Sequence, residues 1–409
     1  MRVLLSTIGS RGDVQPLVGL AKELRALDQE VHLCVPPDFR EWIEGLGFTV
    51  TPIGPELRTH AAAKPTLQTA PLTLEQRRQM AETSVAAQFD TVASAARGAD
   101  VIVAATALQI AARSVAEQMG IPYVFAVYCP AVLPSPLHAP PPLPALPGQP
   151  TVPVSTDNRE LWAKDAERFN ALFGPSLNAQ RAKLGMSPVD DVRRHVFGDR
   201  PWLAADAVLA PWPEPSDAAV FQTGAWILHD ERPLSPELEK FLDAGDAPIY
   251  FGFGSIRVQS ELGGVMIETA RALGRRAIVS RGWADLSGID DAPDCLAIGE
   301  VNQQALFGRV AAVVHHGGAG TTTAAARAGT PQVIVPQMYD QHYFARRAQE
   351  LGIGSAHAPG APCAESLTTA LESALKPDVA ARARSVAASM RGDGARVAAQ
   401  RLIGAQALR

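Results

Sequence analysis

HHGGAGTT, His315 to Thr322, is the stretch from which the rest of this chain can be read. An apolar run, Val310 to Val314, precedes it and has the length of a buried parallel strand. Thr321 to Ala328 follows, rich in alanine, and reads as a helix. A strand, a glycine turn and a helix start together make an anion site. The first helical N–H groups have no partner inside the helix and point at whatever lies there. Glycine lets a phosphate approach the backbone closely. The paired histidines add side-chain donors. The combination suits a diphosphate, and one that leaves during a reaction.

The same pattern of strand and helix extends in both directions, which predicts a doubly wound α/β architecture. In the first half, Val3–Ser6, Val31–Val35, Val101–Ala104 and Tyr123–Val127 read as strands. Helical patterns lie between them at Val14–Leu27, Pro37–Leu46, Leu74–Arg97 and Leu108–Met119. The proline-rich stretch Pro130 to Pro153 reads as a long loop, because proline neither donates to a ladder nor continues a helix. With the irregular Thr59–Leu72 it is a candidate substrate-facing loop. After Pro211-Trp-Pro-Glu-Pro215 the alternation restarts. The strands there are Ile249–Phe253, Ala277–Ser280, Cys295–Ile298, Ala311–Val314 and Gln332–Val335. The helices are Pro236–Ala244, Leu262–Leu273, Thr321–Ala328 and Gln341–Leu351. RVLLSTIGSRG and APIYFGFGSI open the two halves alike: strand, glycine turn, small hydroxyl. The expected organisation is a first domain over 1–215 and a linker over 216–235. A second domain covers 236–393, and a final helix over 394–409 docks back on the first. Two such domains would face each other across a cleft between their strand C-terminal ends.

Bulk properties narrow the partners. A length of 409 residues favours two domains. The net charge of −5, with no basic stripe, argues against nucleic acid. Cys34, Cys129, Cys295 and Cys363 are scattered, without the spacing of a zinc site, and read as free thiols of a cytoplasmic protein. No apolar run reaches the roughly 20 residues that span a bilayer. The strand-like N-terminus is expected not to be a signal peptide. The glycine turns also exclude functions. Gly9-Ser10-Arg11-Gly12 lacks the dinucleotide spacing, and Arg257 stands where Gly252-Phe-Gly254 would need its third glycine. No Gly-Lys pair marks a P-loop and no GxSxG marks a hydrolase elbow.

Asp13 sits where the first strand gives way to the first helix. Position alone allows a plain first-turn carboxylate that complements the helix dipole. It also allows a base. A substitution at a sugar carbon needs one group to take the nucleophile's proton and another to hold the departing diphosphate.

Five stretches carry a resemblance: MRVLLSTIGSRGDVQPLVGLAKEL, QTGAWILHDERPLSPELEKFL, SRGWADL, IGEVNQQALFGRVAAVVHHGGAGTT and PQVIVPQMYDQHYFARR. They span nearly the whole length. Together they resemble the two-domain GT-B nucleotide-sugar glycosyltransferases of family 1. The similarity is greatest to the actinobacterial branch that acts on glycopeptide-antibiotic aglycones. The resemblance implies an α/β fold of two Rossmann-like domains and a UDP- or dTDP-sugar donor, the choice of base remaining open. It implies a natural-product aglycone as acceptor, a glycopeptide first of all, and inversion at the sugar carbon. The family's base stands three residues before the helix proline, which here is Asp13, counted from Pro16. Where a histidine base would have a partner acid, this chain has Ala104, Ala105 and Thr106.

On the donor side the resemblance places His316, Gly318, Gly320, Thr321 and Ser255 on the diphosphate, with Ser10 and Arg11 reaching it from the first domain. Val301 meets the base. Glu300 replaces the tryptophan that plant members stack there, so Trp283 is the candidate substitute. Asp340 and Gln341 match a pair that holds sugar hydroxyls, though a helix cap would look the same. His315 reads as a strand-end structural residue. No Asp-x-Asp triplet occurs, so no metal and no cofactor are expected and activity should survive chelation. A monomer is expected. Two other readings are open: a sterol or glycolipid glucosyltransferase, and a nucleotide-sugar-binding protein without transferase activity.

Overall fold

The computed structural model describes residues 1–58, 73–142, 157–214, 219–254, 262–282, 288–290, 292–358 and 361–407. These fall into two compact units. One comprises Met1–Ala205, Trp212–Leu228 and Gly392–Arg409, the other Asp206–Pro211 and His229–Arg391.

The first unit is built on a parallel sheet in the order β3-β2-β1-β4-β5-β6-β7. Its strands are β1 (Arg2–Thr7), β2 (Glu30–Val35), β3 (Thr49–Pro52), β4 (Val101–Ala105), β5 (Tyr123–Val127), β6 (Trp202–Leu203) and β7 (Phe221–Gln222). Val3, Leu4 and Leu5 are all fully buried, as is every residue of β4. Successive strand residues point to opposite faces, so both faces of the sheet are covered. Each such leucine contributes about 1.5–3 kcal/mol relative to exposure. The covering helices are α1 (Arg11–Ala26), α2 (Arg40–Gly45), α3 (Leu74–Ala95), α4 (Ala112–Met119), α5 (Asn158–Lys183) and α6 (Val192–Phe197).

The second unit repeats the plan with six parallel strands among the described residues, in the order β10-β9-β8-β11-β12-β13. They are β8 (Ile249–Gly252), β9 (Ala277–Ser280), β10 (Cys295–Ile298), β11 (Ala312–His315), β12 (Gln332–Ile334) and β13 (Gly354–Ala356). Its helices are α7 (Pro236–Asp243), α8 (Leu262–Ala272), α9 (Gln303–Leu306), α10 (Ala319–Arg327), α11 (Gln341–Glu350), α12 (Ala364–Ala374) and α13 (Pro377–Ala387). Two clusters flank the sheet, one around Phe251, Met266 and Val314, the other around Tyr250, Phe307 and Val313. Val313 and Val314 enter opposite clusters, as strand alternation requires.

The last helix, α14 (Gly394–Ala407), belongs to the first unit and packs on α1. A β-carbon on Gly394 would lie 2.3 Å from the carbonyl carbon of Gly224, so only glycine lets the two backbones meet.

The chain differs from the expected boundaries in two places. Phe221 and Gln222, in the stretch read as a linker over 216–235, form β7 beside β6. Asp206–Pro211 groups with the second unit. Arg347 donates to the carbonyls of Leu209 and Val208, and Asp206 Oδ2 accepts from the Arg391 N–H at 2.9 Å. Strand pairing made the first assignment and side-chain hydrogen bonds accompany the second; composition marked neither.

Candidate functional site

Each sheet reverses its strand order once, between β1 and β4 and between β8 and β11. Ligands of such sheets bind beyond the strand C-termini at that reversal. In the first unit Ser6 and Thr7 of β1 pair with Ala104 and Ala105 of β4. In the second, Gly252 of β8 pairs with His315 of β11. The residues leaving these strands are those that the sequence singles out.

At the β1 reversal, Ser10 caps α1 and Asp13 is its third helical residue. Asp13 Oδ2 accepts from the Ser10 N–H at 2.6 Å and from the Ser10 hydroxyl at 3.1 Å. A β-carbon on Gly9 would lie 2.2 Å from the same oxygen, so the turn must be bare there. The plain capping role is therefore real. It leaves Oδ1 without a donor from any other described residue. Burial pushes the carboxyl up to about 6, against the lowering effect of the Ser10 hydrogen bonds. Asp13 is thus oriented by its cap, ionised near neutrality and close to proton-transfer range.

Two neighbours shape this corner. The Tyr128 hydroxyl, just past β5, donates to the Asp13 carbonyl at 3.0 Å, and its ring meets Trp226 edge-on. Sequence reading missed Tyr128, and the only signal was an aromatic at a strand end. Thr106 adopts φ 72° and gives its hydroxyl to the Ile8 carbonyl at 3.2 Å. A neutral side chain thus occupies the place of a partner acid. Arg11 lies over the Trp42 ring at 3.6 Å and donates to Gln15 Oε1 at 2.9 Å. The structure places its guanidinium against an indole and the Ser10 hydroxyl on Asp13. Neither placement by itself supports the expected reach to a phosphate.

At the β8 reversal, His315 is fully buried. Its Nδ1 accepts from the Gly317 N–H at 3.0 Å. Its Nε2 therefore carries the proton and donates to Gln332 Oε1 at 2.9 Å. Burial, with the neighbouring His316, lowers it to about 3. It is a neutral brace between β11 and β12.

His316 is different. Its ring stands between two glycines: a β-carbon on Gly254 would lie 3.3 Å from Cε1, and one on Gly318 2.5 Å from Nε2. Nδ1 is buried and has no hydrogen-bond partner among the described residues. Burial lowers the ring to about 4, so it is neutral near pH 7.

Gly318 caps α10, so Ala319, Gly320 and Thr321 are its first three residues, whose N–H groups an α-helix leaves unpaired. Gly320 is exposed, with open space where a side chain would project. Thr322 and Thr323 return their hydroxyls to the carbonyls of Gly318 and Ala319, whereas Thr321 makes no such bond among the described residues. His316 thus stands beside Gly318, with Gly320 and Thr321 in the first turn of α10, an arrangement that can receive an anion.

Two further elements border it. The Val335 N–H donates to the His315 carbonyl at 2.8 Å, so the chain leaves β12 beside the histidines. It re-enters a helix at Asp340, which caps α11. A β-carbon on Gly317 would lie 3.1 Å from the Gln341 carbonyl. The Gln341 side chain is buried and turned inward, its Oε1 accepting from the N–H groups of Gln337 and Met338 at 2.7 and 3.1 Å. That oxygen holds its own loop. Val301 is half-buried against the Tyr250–Phe307 cluster. The next residue, Asn302, anchors the segment by donating to the carbonyls of Asp230 and Arg232, both at 2.8 Å. Ser255, Trp283, the stretch 59–72 and residues 143–153 of the proline-rich loop lie outside the described residues.

Comparison with known proteins finds relatives that match nearly the whole chain. Residues 3–135 match the glycosyltransferase family 28 N-terminal domain. Residues 266–399 match the erythromycin biosynthesis protein CIII-like C-terminal domain. Glycosyltransferase GtfE of Amycolatopsis orientalis is 51% identical over 407 residues, 99% of this chain and 98% of the relative. The vancomycin aglycone glucosyltransferase of the same organism is 49% identical over 99% and 98%. Its dTDP-epi-vancosaminyltransferase is 43% identical over 94% and 93%. Among solved structures, the kitacinnamycin glycotransferase superposes with a TM-score of 0.72 at 18% identity, covering 99% and 98%. VinC in complex with dTDP gives 0.63 at 21% identity, covering 95% and 94%. The two Rossmann-like units are those of the GT-B fold.

Proposed function

Because this chain belongs to the glycosyltransferase family of the Amycolatopsis orientalis antibiotic enzymes, we propose that it moves a hexose from a UDP- or dTDP-sugar to a hydroxyl of a glycopeptide aglycone. The proposed transfer inverts the anomeric carbon and needs no metal ion. The observation that carries this reading is His316, whose buried ring Nδ1 has no partner among the described residues, set at the N-terminus of α10, where no side chain hydrogen-bonds the cap.

The diphosphate of the donor binds at Gly318, Gly320 and Thr321 and takes a hydrogen bond from His316. Val301 adjoins the base. The acceptor hydroxyl loses its proton to Asp13 as its oxygen forms a bond to the anomeric carbon. The bond from that carbon to the phosphate oxygen breaks, and the nucleoside diphosphate leaves with the electron pair. The helix dipole and His316 meet that charge where many enzymes use a divalent ion. A single displacement of this kind inverts configuration. General-base help is worth roughly 10²–10⁴ in rate, and holding both substrates on one sugar carbon contributes more. The vancomycin aglycone glucosyltransferase supports the acceptor class through its name and its 49% identity.

The test is a donor panel of UDP- and dTDP-hexoses against glycopeptide aglycones, with the product's anomeric coupling read by NMR and turnover repeated in EDTA. An inverted glycoside formed in EDTA is expected. Nucleotide-sugar binding without transfer to any aglycone would sink the acceptor assignment. A retained anomer would sink the single displacement, and turnover abolished by EDTA and restored by magnesium or manganese would sink metal independence.

A further inference from the structure

The imidazole of His315 closes a small loop of chain. Its Nδ1 accepts from the Gly317 N–H, two residues on, at 3.0 Å, and the residue held between them is His316. Gly317 has φ 93°, a left-handed backbone that glycine adopts without strain, and a β-carbon there would lie 2.6 Å from Ile334 Cγ2. The direction in which the His316 ring leaves this turn therefore depends on one side-chain acceptor.

That acceptor exists in a single protonation state. A neutral imidazole carries one N–H and one bare nitrogen. With a proton on Nδ1, the Gly317 N–H would face a second donor beside a fully buried ring. The proton must stand on Nε2, and Nε2 then needs an acceptor of its own. Gln332, which opens β12, provides it: Oε1 takes the Nε2 proton at 2.9 Å. The arrangement has a cost. Gln332 is fully buried, and its Nε2 has no partner among the described residues. An unmet buried donor destabilises a fold, so packing alone would favour an apolar residue, such as the Val333 and Ile334 that follow.

We propose that Gln332 is a positioning residue for the leaving-group end of the reaction. Its amide oxygen selects the Nε2–H tautomer of His315, that tautomer closes the turn on Gly317, and the closed turn fixes the aim of His316. The proposal rests on the reading of His316 and the α10 start as the diphosphate site. Gln332 acts through His315 and has no contact of its own with the donor. A histidine aimed before the nucleotide arrives has less freedom to lose on binding, and its dipole is already set for the departing charge.

A double-mutant cycle tests this. Gln332→Met removes the acceptor and keeps the volume. His315→Asn replaces the ring by an amide whose oxygen can accept from the N–H two residues on, whatever stands at 332. Calorimetry reads the affinities for UDP and dTDP, and nitrogen-15 NMR reads the imidazole tautomers. Wild-type His315 is expected to carry its proton on Nε2. Gln332→Met is expected to lose that single tautomer and to bind both nucleotides about tenfold more weakly. In the His315→Asn background the same substitution is expected to change neither affinity. A residue that only packs β12 would cost the same affinity in both backgrounds, and that result would overturn the proposal. Wild-type nucleotide affinity in Gln332→Met would overturn it too. So would a wild-type His315 protonated on Nδ1, a measurement that stands even where the variant does not fold. Failure of the diphosphate reading looks different: wild type would bind neither nucleotide, or His316→Ala would bind both like wild type, with the His315 tautomer still as stated.

Discussion

Gly318 and His316 exclude one another's alternatives: a β-carbon at 318 would stand 2.5 Å from the imidazole Nε2. Gly318 has φ −61° and ψ 142°, a conformation open to any residue, so the glycine is there for space. The helix start and the histidine thus form one unit. Gly318→Ala is expected to displace the ring and weaken UDP and dTDP binding by about tenfold or more, with secondary structure intact. Calorimetry reads the affinity and circular dichroism the fold; an alanine variant that binds both nucleotides normally would separate the two residues.

In the proposed transfer, replacing His316 with alanine removes a neutral donor from the leaving group. Loss of one such donor costs roughly 10²–10³ in kcat where charge develops on it. The ring is held near 4 by burial, so an arriving diphosphate, which favours the charged form, must raise it. Nitrogen-15 titration of the ring with and without nucleotide checks the direction; an unchanged value in the complex contradicts contact.

Asp13→Asn tests the base. Its turnover is expected to fall about 10²–10⁴-fold with donor affinity retained. In the wild-type enzyme kcat/KM should rise with pH through about 6 and then level, a limb the variant lacks. The stability effect has the opposite sense. The folded carboxyl ionises later than the unfolded one, so its contribution is full below the unfolded value of about 3.8 and is lost as pH rises through about 6. At pH 7 the variant should therefore be more stable by an amount on the order of 1–3 kcal/mol, and unfold at a higher temperature. A melting curve lower than wild type at pH 7 contradicts that sign.

Away from these turns, His195 of α6 holds the first unit together. Its Nε2 meets the Ser114 hydroxyl at 2.9 Å, and Arg181 donates to the same hydroxyl and to Glu117. Burial lowers the ring to about 4, with Glu117 opposing the shift and Arg113 and Arg181 adding to it. The unfolded imidazole takes its proton first as pH falls. Stability is then full above about 6.5 and is lost as pH falls through about 4. Thermal melts across that window should show a loss of roughly 1–3 kcal/mol. His195→Gln should flatten it, and an equally steep profile in that variant would assign the loss elsewhere.

The sequence made both strand-to-helix turns legible because each depends on local rules. An apolar run followed by glycines and a helix period needs no distant partner to be recognised, and β1, β4, β8 and β11 fell close to where their patterns lay. Other elements left weak signals. Strands β6 and β7 have two residues each, and β13 is Gly-Ser-Ala, without apolar alternation. Helix α5 carries Gly174-Pro175 in its interior, a pair that local propensity disfavours there, and packs against α3 and α6.

For this protein the sequence alone determined the architecture of two wound sheets, the helix start at Gly318 and the carboxylate at position 13, since periodicity, glycine and capping act over a few residues. Tertiary structure decided what each polar atom does. Ser10 turns to Asp13, Arg11 lies on Trp42, Gln341 holds its own loop, and His315 is spent on Gln332 while Nδ1 of its neighbour has no partner among the described residues. The physical reason is reach: a hydrogen bond is satisfied by whichever group packing brings within about 3 Å, and no spacing along the chain specifies that.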